Sequence, residues 1–457
     1  MGSKKVSRRE FIKTSSAVAA FSIVPRHVLG GVGHTAPSEK MNIVCIGAGG
    51  RSAHDIKIMD TETDNFNVIG LCDLDERHMK RKIKNVCQQY LDVPYYKDYR
   101  KMFDKIGKDI DGVMISTPDH SHAVITMDCM RRGMHVFTQK PLTHNIYEAR
   151  MLKKKAKEFK IVSQMGIQVH AYKALRMGVD LVKSGVLGTI REVHLWTNRP
   201  AWKQEIAKPT GEAKIPEGFD WDQWIGPAPY RPYQSGYHPF HWRGYWDFGT
   251  GALGDMGCHI FDQPFWALDL REPESIECVA TDTSWWQRNK DFSETGPTAS
   301  IIRYEFPKRG NREALTLYWY DGGLRPLRPK QLEDKRALPA QGIMYVGDNA
   351  TAMTPFIAAP RLIPETEMKG FKFPDQIVPD SPGHFKEWVD ACTGNGPMPH
   401  ANFDYSSDMT ETILLGCVAL RSGVGRKYMW DAKNMKMTNC PEADKFINEP
   451  YREGWSL

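Results

Sequence analysis

The stretch Asn42-Ile43-Val44-Cys45-Ile46-Gly47-Ala48-Gly49-Gly50-Arg51-Ser52 decides the fold. Its first half is a short apolar run of the kind that forms a buried parallel strand, and its second half is a glycine turn opening into a helix. In that setting Gly47 permits a tight turn and Gly49 lets backbone approach a pyrophosphate, with Gly50 beside it. The helix start directs unpaired N–H groups and partial positive charge at the same point. Ser52 stands where such a fingerprint usually has its third glycine.

A second apolar run, Phe66-Asn67-Val68-Ile69-Gly70-Leu71-Cys72, ends in Asp73. A carboxylate there accepts hydrogen bonds from the ribose hydroxyls of an adenosine and repels a 2'-phosphate, so the expected cofactor is NAD rather than NADP. The alternative is that Asp73 caps the helix that begins near Leu74. Strand and helix patterns then alternate: strand 111–116, helix 122–132, strand 134–138, helix 145–157 and strand 161–164. This predicts a Rossmann-type, doubly wound parallel sheet over 40–166. Ligands of such sheets collect at the carboxyl ends of strands, where Thr117-Pro118-Asp119-His120-Ser121-His122 and Gln139-Lys140-Pro141 stand. Asp119, His120 and His122 are too tight and local a group for a metal site; helix capping and contacts to the nicotinamide suit them better, and no metal is expected.

From 167 to 457 the pattern changes. Segments 190–198, 275–283, 299–306, 314–319 and 342–346 carry the β-branched and aromatic content of strands without alternating helices, as in an α+β domain. Between the first two lies a loop-like stretch, 200–249, with aromatic residues at Trp202, Trp221, Trp224, Phe240 and Trp242 among others. A loop this long and this aromatic is functional rather than disordered. Its rings can stack on the C–H faces of a sugar, with Trp242 among them, while His238, His241 and Arg243 reach hydroxyls. For most of the rings the expectation is that they pack the loop onto the sheet.

With 41% hydrophobic and 25% charged residues, the 457-residue chain is globular and long enough for two cored domains. Its net charge of +6 draws on Lys4, Lys5, Arg8, Arg9 and Lys13, and the remaining basic residues alternate with acidic ones, so nucleic acid is not expected as a partner. The run Lys153-Lys154-Lys155 with Lys157 and Lys160 reads as a solvated helix face. Nine cysteines, with no Cys-x-x-Cys pair, argue against a disulfide framework and a structural zinc site. Ser7-Arg8-Arg9-Glu10-Phe11-Ile12-Lys13, followed by an apolar stretch too short to span a bilayer, has the form of a twin-arginine signal over 1–39. The expectation is therefore a soluble, exported, periplasmic protein, not inserted in the membrane, that folds on its cofactor before export.

Asp255 and His259 are four apart in a helical pattern over 252–268, so both project from one face and a carboxylate can orient the imidazole. Oxidising a secondary alcohol removes a hydride from carbon and a proton from oxygen. With a hydroxyl about as reluctant to ionise as water (~15.7) and histidine near ~6.5, the gap is roughly nine units, or about 12 kcal/mol. Histidine alone does not bridge it. A cationic Lys140 beside the hydroxyl would stabilise the developing alkoxide. The expected catalytic set is Lys140 for electrostatic assistance, His259 as base and Asp255 as its orienter. A structural Asp–His hydrogen bond is the alternative.

From about Met41 onward the chain resembles the glucose-fructose oxidoreductase / inositol dehydrogenase (Gfo/Idh/MocA) superfamily. The marks are the glycine turn, Asp73, Thr117-Pro118 with His122, Gln139-Lys140-Pro141 and Gly254-Asp255-Met256-Gly257-Cys258-His259. The family's usual tripeptide is Glu-Lys-Pro with a catalytic lysine; here Gln139 replaces the glutamate. The resemblance implies that Gly47, Gly49, Gly50, Ser52, Asp73, Thr117, Pro118, His122 and Lys140 hold the dinucleotide. It implies that Lys140, Trp242, Arg243 and His259 meet a sugar, glycoside or polyol between the domains. It also implies an open, mostly antiparallel second sheet used for assembly into a homo-oligomer, a dimer or tetramer. The activity implied is an NAD(P)-dependent dehydrogenase, or else a redox-neutral NAD-dependent glycosidase.

Overall fold

The run Met41–Ile46 forms β1, and five strands extend the sheet parallel to it: β2 (Phe66–Cys72), β3 (Tyr95–Tyr96), β4 (Gly112–Ile115), β5 (His135–Gln139) and β6 (Ser163–Gly166). The computed structural model describes residues 39–207, 209–282, 291 and 293–457; the twin-arginine stretch lies outside the described residues. The strand order is β3-β2-β1-β4-β5-β6. It reverses direction between β1 and β4, which opens a crevice at the carboxyl ends of those two strands.

Both faces of this sheet are covered, which is why its strands read as continuous apolar runs rather than alternating ones. Val44, Ile46, Val113 and Ile115 pack with the helices Asp119–Arg131 and Ile146–Glu158. Ile43 and Cys45 face the helices Ala53–Glu62 and Glu76–Val86 on the other side. That second face is completed from far along the chain, by Phe385, Trp388 and Val389 of the helix His384–Cys392. Phe137 of β5 stacks on Phe385 with ring centroids 5.1 Å apart.

The second sheet has nine strands: β7 (Ile190–Trp196), β8 (Ser275–Thr281), β9 (Ser300–Phe306), β10 (Leu315–Tyr320), β11 (Gly342–Gly347), β12 (Thr351–Pro355), β13 (Arg361–Ile363), β14 (Lys427–Asp431) and β15 (Lys436–Met437). Their order is β13-β12-β11-β7-β10-β9-β8-β14-β15, antiparallel except for the β7–β10 pair. The pattern over 252–268 is not one helix but two, Gly251–Ile260 and Asp262–Leu268, which meet at Phe261.

The helix Phe403–Ser422 joins the halves. Its apolar face packs with Ile276, Cys278 and Tyr304 of the second sheet. Its Glu411 accepts two hydrogen bonds from Arg150, at 2.6 and 2.7 Å. Lys153 donates to both carboxylate oxygens of Asp408 at 2.8 Å, so this member of the basic run is an interhelical partner rather than a solvated charge. No helix among the described residues is long and apolar enough to cross a membrane.

Trp388 is fully buried against the first sheet. Trp388→Ala is expected to lower the unfolding free energy by about 3–5 kcal/mol in denaturant titration. A loss below about 1 kcal/mol would mean that the helix His384–Cys392 is not part of the first domain's core.

Candidate active site

Gly47 sits at φ 81°, where a Cβ would stand 2.6 Å from the Ser116 carbonyl oxygen, so the turn after β1 and the end of β4 can close only around glycine. The Gly49 N–H donates to Asp73 Oδ2 at 2.7 Å, and a Cβ there would meet that oxygen at 3.0 Å and the His78 ring at 3.1 Å. The Gly49 amide is thus committed to Asp73. At Gly50 nothing lies within 4 Å of where a Cβ would be, and its N–H makes only a 3.5 Å contact to the Gly47 oxygen.

Asp73 Oδ1 accepts from the Asp75 N–H at 2.9 Å. Burial pushes the Asp73 carboxyl upward, and the two N–H donors oppose the shift. Each oxygen keeps a lone pair for a ribose hydroxyl. The capping role considered for Asp73 falls to Asp75, whose side chain accepts from His78 N at 3.0 Å at the start of the helix Glu76–Val86.

Gly47, Gly49, Gly50, Asp73 and His78 line a cleft of about 420 Å³, with Thr117, Pro118 and Lys140 also in its wall. The Thr117 hydroxyl oxygen is buried and has no hydrogen-bond partner. Glycine backbone at the surface, a carboxylate at the end of β2 and an unsatisfied hydroxyl at the end of β4 are a donor and acceptor set that fits a dinucleotide. Two expected cofactor residues do not reach this space. Ser52 is fully buried behind the turn. His122 is buried with Nδ1 and Nε2 each 2.8 Å from a carbonyl, those of Pro141 and Thr117. Burial first lowers the His122 ring in pKa, against the pull of Asp119 and the two carbonyls. From behind the wall it ties the turn carrying Lys140 to the Thr117 loop.

Lys140 Nζ bonds Asp255 Oδ1 at 2.6 Å and the Asp255 carbonyl oxygen at 2.9 Å. Arg243 Nε lies 3.4 Å from the same carboxylate oxygen. Burial would raise the Asp255 carboxyl, but Lys140 first and Arg243 next hold it down at about 2. Here too the expectation is corrected. Asp255 serves two cations, no hydrogen bond joins it to His259, and the His259 Nδ1 is buried without a partner. The i to i+4 spacing put both on one helix face, and the Lys140 ammonium outcompeted a neutral imidazole for the carboxylate. His259 nevertheless lines the same cleft as Lys140. Burial first, and the Lys140 charge second, lower it to about 3 against the pull of Asp255.

Gln139 donates to the buried Asp55 at 2.6 Å, and Arg51 Nε donates to the same carboxylate at 2.7 Å. The buried negative charge beside the lysine turn therefore comes from Asp55, a residue with no motif to announce it. Of the aromatic loop, Trp202, Trp224, Phe240 and Trp242 reach the cleft, with Arg243 stacked 4.2 Å from the Trp242 ring centroid. Phe219, Trp221, Tyr233, Tyr237, Tyr245 and Phe248 pack on one another as a core of the loop. His238 lines the cleft near Asp75, with its Nε2 3.3 Å from that carboxylate.

Residues 41–167 match the model of the oxidoreductase family GFO_IDH_MocA, described as an NAD-binding Rossmann fold, and 172–290 match that family's C-terminal alpha/beta domain. Together they take in more than half of the chain. The chain belongs to the Gfo/Idh/MocA oxidoreductase family.

Among curated Gfo/Idh/MocA relatives, the rhizopine catabolism protein MocA of Rhizobium meliloti is 25% identical over 41% of this chain and 48% of its own length. Glycosyl hydrolase family 109 protein 2 of Akkermansia muciniphila is 28% identical over 33% of this chain and 32% of its own. The matches thus span about half or less of the relatives' length. Among solved structures, the WlbA dehydrogenase of Bordetella pertussis, in complex with NADH and UDP-GlcNAcA, aligns with a TM-score of 0.58 at 14% identity, over 86% of this chain and 99% of that one. GenD2 from gentamicin A biosynthesis, in complex with NAD, aligns with a TM-score of 0.56 at 15% identity, over 86% and 97%. At these identities the likeness is one of fold.

Lys140 and Asp255 are each 14% exposed at the side chain, so either one left alone is a poorly solvated charge. Lys140→Met or Asp255→Asn alone is expected to cost about 3–5 kcal/mol of stability, and the double variant clearly less than the sum. Strict additivity in denaturant titrations would show that the pair contributes nothing.

Proposed function

We propose that the protein is an NAD-dependent oxidoreductase acting on a secondary alcohol of a sugar, glycoside or polyol. One observation carries the reading: Lys140, from the end of β5, and His259, from the helix Gly251–Ile260 of the other domain, line one cleft with Gly50 and Asp73. Asp73 and the glycine turn would hold the adenosine and diphosphate, with Thr117 and Pro118 also in the wall. Bound NAD would supply the hydride acceptor.

The chain's own residues handle the proton and the charge. Lys140, paired with an ionised Asp255, presents a cation to the substrate oxygen and favours its alkoxide. His259 lines the cleft with its pKa held down, so its neutral ring is available to take the proton. Its basicity is low first because the ring is buried and second because Lys140 repels the imidazolium. Negative charge developing on the oxygen between them would offset the second of these, so His259 gains basicity as the proton leaves. Trp242 and Phe240 offer ring faces to the sugar, and Arg243 offers donors to its hydroxyls.

A second reading is favoured by the names of the relatives. Several are family 109 glycosyl hydrolases, and one from Shewanella oneidensis is called an alpha-N-acetylgalactosaminidase. In that reading the sugar is oxidised transiently, the aglycone is eliminated and the sugar is reduced again. Export by the twin-arginine leader would take the protein away from free NAD, so the cofactor travels bound and is recycled in place. The same open sheet that completes the second domain is proposed to mediate a homo-oligomer.

Purified protein, denatured, is expected to release about one dinucleotide per chain. Incubated with candidate glycosides, it forms NADH if it is a dehydrogenase, or frees aglycone without net NADH if it is a glycosidase. Neither outcome across a broad panel would contradict the reading. Lys140→Met is expected to lower kcat/KM roughly 100- to 1,000-fold. A histidine pKa moved downward leaves the neutral base populated at lower pH. Activity should therefore show no acid limb at the ordinary value of about 6.5 and hold level to about pH 5. A midpoint near 6.5 would exclude His259, as found here, from the proton step.

A further inference from the structure

The cleft has two ends, and the sheet order tells them apart. Lys140 follows β5, on one side of the β1–β4 crevice. Asp73 follows β2, and Lys97, Tyr99 and Arg100 follow the edge strand β3, all on the other side and all lining the cleft. With the reactive groups at Lys140, the β2–β3 end is where an adenosine belongs.

At that end stands a residue from the segment 450–457, Trp455. The Arg100 guanidinium lies 5.7 Å from the Trp455 ring centroid and 5.7 Å from that of Tyr99, so the three form one wall. Trp455 is held there by contacts with both domains. The Arg452 amide donates to the Pro227 carbonyl at 2.9 Å, and its side chain donates to the Gly226 carbonyl at 3.1 Å and the Asp222 carbonyl at 3.0 Å. Arg131, from the last turn of the helix that starts at the Thr117-Pro118 wall, donates to the Leu457 carbonyl at 2.8 Å. Gly226 lies beside the indole, whose edge a Cβ there would meet at an ordinary contact distance of 3.8 Å. The Trp455 N–H of the backbone closes a turn on the Arg452 carbonyl at 3.1 Å, which fixes the ring relative to its anchor.

We propose that Trp455 is a cofactor-binding residue whose ring stacks on the adenine, so that the segment 450–457 keeps the dinucleotide in the cleft. This rests on the dinucleotide reading above. An adenine presents a flat, uncharged aromatic face, and among the side chains at this end an indole matches it best, in a cleft that Leu74 also lines and with the Arg100 guanidinium over one side of the ring. A cofactor held at its adenosine end by an anchored segment dissociates slowly, as an enzyme that recycles one bound dinucleotide requires.

The test is calorimetric titration of cofactor-stripped protein with NAD and with ADP-ribose, which carries the adenosine and lacks the nicotinamide. W455A is expected to weaken both by a similar factor, on the order of tenfold, and W455F to keep most of the affinity. In wild-type protein carrying 5-fluorotryptophan, the resonance that W455F removes should move when ADP-ribose is added, a readout independent of how the alanine variant folds. If wild type binds ADP-ribose, W455A binds it equally well and that resonance does not move, the proposal is wrong and the dinucleotide reading stands. If wild type binds neither nucleotide, both fail.

Discussion

The ion pair between Lys140 and Asp255 is the constraint on which the rest of the site depends. It joins the end of β5 in the first domain to the helix Gly251–Ile260 in the second, at 2.6 Å and largely out of water. Two poorly solvated charges are tolerable only as a pair, so the domains must come together with these side chains in register. Contacts within each domain hold the pair's surroundings in place. His122 fixes the lysine turn from behind, Gln139 leans on Asp55, and Arg243 adds a second cation to the Asp255 carboxylate. The Lys140 charge held in this pair is the same one that would stabilise a substrate alkoxide.

Much of the first domain was legible in the residues because its signals are local. An apolar run followed by Gly47-Ala48-Gly49-Gly50 leaves few alternatives, and β2 was read to its ends, with Asp73 in place. The two-residue β3 carries too little sequence to announce itself. The helix His384–Cys392 was not assigned to the first domain because nothing local tells a helix which of two sheets will bury its tryptophan. The shorter strands β12 to β15 were missed for a related reason: they gain their stability from neighbours in the sheet rather than from pattern.

In the site, sequence reasoning found which residues converge and misjudged how they are wired. Asp255 and His259 were paired because spacing on a helix is visible, whereas the approach of Lys140 from another domain is not. Ser52 was read as a cofactor residue from its position in the glycine motif; the kink at Gly50 turns it inward instead. Asp55, Arg51 and Trp455 carried no motif. Their parts appear only when the chain is folded, Asp55 as a buried acceptor for Arg51, Gln139 and Gln168 and Trp455 as a wall of the cleft beside Arg100.

The account comes down to where one ring lies. A crystal of the protein grown with NAD should show the nicotinamide between the Lys140 ammonium and the His259 imidazole, with the ribose of the adenosine on Asp73. Density for the nicotinamide at the β2–β3 end, or for the whole dinucleotide outside this cleft, would contradict it.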